Sequence, residues 1–203
     1  MFTGIIETVG EIKKISKEGS NVIFEVESAL SHELKVDQSV AHNGVCLTVT
    51  ALSNQIHSVT AIDETLQKTN LGDWEVGKLV NIERCMPANG RYDGHIVQGH
   101  VDQTATCTKV SEEDGSWRYF FKYEDLGNFT VQKGSICVNG VSLTVVDSED
   151  ELFSVAIIPY TYEHTNFKTL KAGDKINLEF DVLGKYLQKL LDRRLAQIDL
   201  PKK

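Results

Sequence analysis

The chain has 203 residues, of which 41% are hydrophobic and 25% charged, with 21 basic and 29 acidic side chains. That composition excludes a disordered chain, and 15 Gly with 3 Pro exclude a collagen-like or mucin-like one. The first 184 residues carry a net charge of −12 and Lys185 to Lys203 a net of +4, so the body of the protein repels phosphate backbones and nucleic acid is not an expected partner.

The opening segment Met1-Phe-Thr-Gly-Ile-Ile-Glu lacks the basic flank and apolar core of a secretory signal, and no apolar run approaches the ~20 residues that span a bilayer. A soluble, cytoplasmic chain without membrane contact is expected. Val22, Phe24 and Val26 fall on one face of a strand that follows a Lys-Glu-Gly-Ser turn. Asn43-Gly44 then sits between β-rich runs, a strong hairpin signal. On the next strand Val45, Leu47 and Val49 point one way, and Cys46, Thr48 and Thr50 the other. The second row offers a thiol and hydroxyls able to donate to, and accept from, the edge of a polar ring. A solvated outer face is the plainer account of one such row, and recurrence is what would favour a site. A short helical stretch is expected at Glu64 to Leu71. The four cysteines, Cys46, Cys85, Cys107 and Cys137, include no Cys-x-x-Cys pair and read as reduced thiols.

From here the chain repeats itself. At an offset of 96, 16 of the 47 positions from Ser39 to Cys85 are identical, and at an offset of 95 Gly4-Ile-Ile-Glu lies over Gly99-His-Val-Asp. A period of that length is a domain and not a solenoid repeat. It predicts units at 1–95 and 96–183. In the second copy Trp117, Tyr119, Phe121 and Tyr123 share a strand face, Asn139-Gly140 repeats the hairpin, and Val141, Leu143 and Val145 oppose Ser142 and Thr144. Short strands separated by such turns predict small closed barrels over an α/β sheet. The copies differ where chemistry is possible, with Cys46 against Ser142 and Ile5 against His100.

His95 and His100, with Asp93 and Asp102, raise the question of a metal. On an extended chain two imidazoles five residues apart face opposite sides unless Gly99 kinks the strand, so no metal is expected. A lone histidine is better suited to carrying protons, with a hydrogen-bonded structural role as the plainer alternative. The chain has no Rossmann glycine fingerprint, P-loop or Gly-x-Ser-x-Gly elbow. Finally Leu183, Leu187, Leu191, Leu195 and Ile198 recur at spacings of three and four among basic residues, predicting an amphipathic helix and tail over 184–203. Its stripe must cover its own barrel or meet copies of itself.

Met1-Phe-Thr-Gly-Ile-Ile-Glu, Val40-Ala-His-Asn-Gly-Val-Cys-Leu-Thr-Val, Gly94-His-Ile-Val-Gln-Gly-His-Val, Asn139-Gly-Val-Ser-Leu-Thr-Val and the terminal helix together resemble the duplicated lumazine-binding barrel family that includes the riboflavin synthase alpha chain. The resemblance covers essentially the whole chain. It implies an all-β fold of two tandem six-stranded Greek-key barrels plus a C-terminal helix, assembled through those helices as a homotrimer. It also implies a transferase without cofactor, in which two molecules of 6,7-dimethyl-8-ribityllumazine exchange four carbons to give riboflavin and 5-amino-6-(ribitylamino)uracil. Donor and acceptor are then the same compound, which fits two similar pockets. In the family these face each other between the N-barrel of one subunit and the C-barrel of its neighbour.

Carried over by position, the resemblance lines the first pocket with Gly4, Ile5, Ile6, Cys46, Leu47, Thr48, Thr60, Ala61, Ile62, Asp63, Glu64 and Thr65. It lines the second with Gly99, His100, Val101, Ser142, Leu143, Thr144, Ala156, Ile157, Ile158, Pro159, Tyr160 and Thr161, and has Lys133 reach a neighbouring subunit's ligand. His100 is the expected proton carrier, Ser142 and Thr144 orient or activate a hydroxyl or water, and Cys46 contacts the partner ring. Phe2 is expected to close over the pocket and Asp181 to sit near it. Tyr160, standing where the first copy has Glu64, departs from the pattern for ribityl contacts. A lumazine synthase is a candidate partner. The rivals are a non-catalytic lumazine- or flavin-binding protein of the same fold, and a flavin-reductase-like barrel, which would need an electron donor.

Overall fold

The computed structural model describes residues 1–198. Strands β1 (Thr8–Glu18), β2 (Asn21–Glu27), β3 (Ser39–His42), β4 (Val45–Ser53), β5 (Ile56–Ala61) and β6 (Leu79–Arg84) close into an antiparallel barrel in the order β1-β2-β5-β4-β3-β6. Strands β7 (Gln103–Glu113), β8 (Ser116–Tyr123), β9 (Ser135–Val138), β10 (Val141–Glu149), β11 (Leu152–Ile157) and β12 (Lys175–Phe180) close a second barrel in the same order. The expected all-β fold of two six-stranded barrels is therefore present. Period-two patterning builds each core: Phe24, Val26, Leu47, Val49 and Ile82 fill one barrel, and Tyr119, Phe121, Val145, Phe153 and Ile176 the other.

Each barrel carries a short helix after its fifth strand, α1 (Asp63–Lys68) and α2 (Pro159–His164). The first of these is expected from sequence to reach Leu71. Instead Thr69 adopts an extended backbone, and its hydroxyl donates to the Thr65 carbonyl and accepts the Leu71 N–H, starting a separate 3-10 turn at Asn70–Asp73. Thr165 does the same before Asn166–Thr169. A third helix, α3 (Val182–Ile198), begins two residues before the expected 184, because the Asp181 side chain accepts the Leu183 N–H and its carbonyl the Gly184 N–H. Residues 199–203 of that expected segment lie outside the described residues. No helix among the described residues is long and apolar enough to cross a membrane.

The barrels meet along a pseudo-twofold axis on which equivalent residues face each other. The Asn43-Gly44 and Asn139-Gly140 turns have positive φ at both residues, the signature of two-residue hairpin loops. They abut so closely that a Cβ on Gly44 would lie 2.8 Å from the Gly140 nitrogen, and one on Gly140 would lie 2.7 Å from the Gly44 nitrogen. Around them six asparagines are buried or nearly so. Asn81 Nδ2 donates to the Asn139 carbonyl (2.9 Å) and Asn177 Nδ2 to the Asn43 carbonyl (2.9 Å); Asn166 and Asn70 present their N–H groups to Asn81 Oδ1 and Asn177 Oδ1 (both 2.7 Å). Side chains satisfy backbone groups that the barrels leave unpaired where they touch. Gly44→Ala adds left-handed strain to a backbone clash and is expected to cost on the order of 2–4 kcal/mol. Thermal unfolding measures it, and a midpoint equal to the parent's would contradict the close contact.

Candidate functional site

At the axis Phe2 pairs with Val97, its own equivalent at the offset of 95, through N–H···O bonds of 2.7 and 3.1 Å. The two Gly-x-x-acid segments therefore run past each other, and each reaches the opposite barrel. The Gly4 carbonyl accepts the Ser142 N–H (2.8 Å), and the Gly99 carbonyl accepts the Cys46 N–H (2.9 Å). This corrects the grouping expected from sequence. Gly4, Ile5 and Ile6 belong with Ser142, and Gly99, His100 and Val101 with Cys46, because the Phe2–Val97 bridge delivers each segment across the axis.

The first site is a cavity of about 230 Å³ that brings together Cys46, Glu64, Thr65, Gly99, His100 and Val101, with Val45, Lys68 and Thr69 also in its wall. Cys46, half-buried, sits on the outward row of β4, and Leu47 is turned into the barrel core. Burial pushes the Cys46 thiol up, partly opposed by Ser39, so it enters as a polarisable contact and not as a thiolate. Of the other expected residues, Thr48 is exposed opposite Ser39, Thr60 and Ala61 end β5, Ile62 caps α1 and Asp63 opens it. Gly99 must be glycine: φ is +79° and a Cβ would lie 2.6 Å from the Cys46 Cβ.

The second site centres on Ser142, half-buried on β10. Ile6 and Leu143 pack against the second barrel's core, Thr144 is exposed opposite Ser135, and Ile5 is exposed. Ala156 and Ile157 end β11, Ile157 facing the core; Ile158 caps α2, Pro159 opens it, and the exposed Tyr160 stacks on His164 at 4.0 Å, with Thr161 next. Lys133, exposed with φ of +65°, lies on the loop before β9.

Sequence reasoning missed the second site's closest polar partner. His95 Nδ1 lies 2.6 Å from Ser142 Oγ, while the His95 N–H donates to the Thr3 carbonyl (3.1 Å). Burial lowers the His95 pKa, partly opposed by the Asp181 carboxylate, so the ring is held neutral and able to take a proton from a hydroxyl. Gly94 lets it approach: a Cβ there would lie within 3 Å of Ser142 Cβ and Oγ. His95 comes from the connection between repeats and has no counterpart in the first copy, so the repeat comparison could not reveal it. His95 and His100 serve different barrels, and Asp102 is committed to Lys185 Nζ (2.9 Å to both oxygens). Phe2, expected to close over a pocket, is instead fully buried with Ala41, Val97 and Cys137, since the bridge to Val97 draws it into the seam.

The family model for the lumazine binding domain matches residues 3–85 and again 98–181. The riboflavin synthase of Actinobacillus pleuropneumoniae is 42% identical over 100% of this chain and 94% of its own. That of Bacillus subtilis (strain 168) is 39% identical over 95% of this chain and 91% of its own, and that of Saccharomyces cerevisiae 33% over 93% and 85%. Among solved structures, LumP complexed with 6,7-dimethyl-8-(1'-D-ribityl) lumazine superposes with a TM-score of 0.82 at 25% identity, covering 89% of this chain and 99% of that one. LumP complexed with riboflavin gives 0.82 at 27%, covering 88% and 98%.

Proposed function

We propose that this chain, which belongs to the riboflavin synthase family of duplicated lumazine-binding proteins, reads its two unlike sites as two halves of one reaction. The activity is the transferase dismutation of two 6,7-dimethyl-8-ribityllumazine molecules by four-carbon exchange, giving riboflavin and 5-amino-6-(ribitylamino)uracil. The observation that carries the division of labour is the pairing of each outward strand row with a segment from the other barrel, which puts Cys46 in one cavity with His100, while His95 of the connection between the repeats bonds Ser142.

The reaction needs the acidic ring methyl of one molecule to lose a proton and the ring carbon bearing the other's methyl to accept a nucleophile. His95, neutral and hydrogen-bonded to Ser142, is suited to drawing the proton from the serine hydroxyl or from a water held by Ser142 and Thr144. His100 is suited to moving the methyl proton beside Cys46, whose sulfur contacts the ring. Backbone groups and threonine hydroxyls read the pyrimidine edge, and Ile6, Leu143 and Val101 cover ring faces. Holding both substrates together supplies much of the rate. Lys133 reaches the ligand of a neighbouring subunit, and Asp181, beside His95, keeps its basicity from falling further.

The units 1–95 and 96–183 serve as the two lumazine-binding modules. Leu183, Leu187, Leu190, Leu191 and Leu195 on α3 are each at least 50% exposed, an apolar stripe that supports homotrimer assembly through this helix and, with it, pockets of neighbouring subunits facing each other. Truncation after Gly184 is expected to leave folded barrels that sediment as monomers, and a surviving trimer would contradict this. The compartment is the cytoplasm, and lumazine synthase is the candidate partner beyond the trimer.

Incubating the purified protein with 6,7-dimethyl-8-ribityllumazine alone tests the function. Riboflavin should appear without added cofactor. Ligand bound unchanged would identify a carrier like LumP, and a requirement for reductant would identify a flavin-reductase-like barrel. Cys46, His100 and Ser142 together favour the enzyme.

A further inference from the structure

Two carboxylates that the reaction does not consume are buried at equivalent places, Glu83 on β6 at 4% exposure and Glu179 on β12 at 2%. Neither forms an ion pair among the described residues. The neighbouring cations are engaged elsewhere: Arg84 binds Glu7 and Glu33, and Lys185 binds Asp102. Burying a carboxylate without a cation is costly, so hydrogen bonds must compensate.

They come from the backbone of the two segments that cross the axis. Glu83 accepts the Thr3 N–H (2.7 Å), the Thr3 hydroxyl (3.1 Å) and the Gly4 N–H (3.1 and 3.2 Å to its two oxygens). Glu179 accepts the N–H groups of Gln98 (2.6 Å), Gly99 (2.9 Å) and His100 (3.0 Å). The grip is reciprocal: the acid ending each segment takes the N–H of the residue after the buried glutamate, Glu7 from Arg84 (2.7 Å) and Asp102 from Phe180 (2.9 Å). Each segment is thus rooted in its own barrel by a carboxylate, while its glycine carbonyl engages Ser142 or Cys46 across the axis.

We infer that Glu83 and Glu179 are positioning residues for the two sites, each fixing the depth and direction of the Gly-x-x-acid segment that the other barrel's site uses. This deepens the functional reading above and rests on it. Glutamine keeps the size but supplies one acceptor oxygen and turns its NH₂ toward backbone N–H groups, donor against donor. Glutamate at both positions gives each clamp two acceptor oxygens for the N–H groups it holds.

Burial pushes the Glu83 pKa up to about 7 against the Thr3, Gly4 and Ile5 N–H groups, and raises that of Glu179 as well. The groups around Glu83 are the buried Cys137 thiol on β9, held protonated by burial, Arg84 and Glu7 beside it, and Cys85, Arg91 and Asp93 along the cavity it borders. Protonation of Glu83 would turn one of the acceptor oxygens facing the Thr3 and Gly4 N–H groups into a donor.

The test compares full-length Glu83→Gln and Glu179→Gln with the parent, measuring kcat and KM for riboflavin formation from pH 5.5 to 8.5 beside thermal unfolding. Each variant should lose at least about tenfold in kcat, toward the ~10²-fold that a misplacement of one ångström costs. The parent's kcat should fall below pH 7 through a one-proton step that Glu83→Gln lacks. Parental kcat and an unchanged pH profile in Glu83→Gln would overturn the clamp. Should a variant fail to fold, or the parent form no riboflavin, amide NMR of ¹⁵N-glycine-labelled parent decides the clamp by itself. The Gly4 amide, bonded to the buried Glu83 carboxylate, should be protected from solvent hydrogen exchange, and a Gly4 amide that exchanges at the unprotected rate overturns it. Absence of riboflavin with a protected Gly4 amide would remove the enzymatic reading and leave the clamp.

Discussion

Ser142→Ala is expected to lower kcat for riboflavin formation by ~10²-fold or more while leaving affinity for a ribityllumazine without ring methyls within about threefold. The hydroxyl is 2.6 Å from a histidine whose pKa burial lowers, so in the proposed mechanism its removal takes away proton movement in the transition state while the ring-covering residues remain. His95→Ala should match it. The double variant should be little worse than either single one, because the two groups act as a unit. His100→Ala, acting beside Cys46 in the other site, should also lose far more turnover than binding, and its loss should add to that of Ser142→Ala. Rapid-mixing kinetics and fluorescence titration of the same proteins separate the two quantities. Equal losses in turnover and binding would remove these residues from the chemistry.

The second large effect concerns stability in acid and comes from a feature that only the first barrel has. His42 Nε2 and His57 Nε2 are 2.8 Å apart in the core, with His42 Nδ1 3.1 Å from the Val40 carbonyl and His57 Nδ1 2.7 Å from Ser31 Oγ, itself 3.0 Å from Ser28 Oγ. The Val40 carbonyl can only accept, so His42 Nδ1 carries a proton and its Nε2 accepts from His57. His57 Nδ1 then accepts from Ser31. With both rings neutral, every polar atom of this run of side chains has a partner.

Burial lowers His42 to about 3, with the neighbouring His57 adding to the shift, and lowers His57 to about 4. Both values lie below the ~6.5 of an unfolded histidine. Between those values and 6.5 the unfolded chain binds more protons, so stability falls as pH drops from about 6.5, by several kcal/mol in total at ~1.4 kcal/mol per unit. Glu83, raised to about 7, acts in the opposite sense between about 4.5 and 7, since there the native state binds the extra proton. The difference between parent and variant isolates the histidines. The equivalents in the second barrel are Val138 and Phe153, both buried. The His42→Val/His57→Phe double variant should flatten the acid limb of urea-unfolding free energy between pH 6.5 and 4. A parental acid limb in a folded double variant would contradict the neutral network.

Much of this molecule could be read from its residues. The Asn-Gly turns, the alternation of Val45, Leu47 and Val49 against Cys46, Thr48 and Thr50, and the offset of 96 gave two barrels with matching outward rows. What could not be read was which barrel receives a crossing segment. Internal repetition identifies Gly4 and Gly99 as equivalents but is silent on the Phe2–Val97 bridge that exchanges them. His95 lies between the repeats, where internal comparison is blind to it, and its spacing from His100 raises only the question of a metal. Asn43, Asn70, Asn81 and Glu83 were visible as identities between the copies. The asparagines and the glutamate identical in both halves mark buried hydrogen bonds in this duplicated barrel, a signal the sequence itself carries.

The proposed reaction needs two unlike lumazine pockets in every chain, and calorimetric titration of the assembled protein with a ribityllumazine lacking ring methyls, which cannot react, measures them directly. Two molecules bound per chain with unequal affinities is the predicted result, and one per chain at saturation would contradict it.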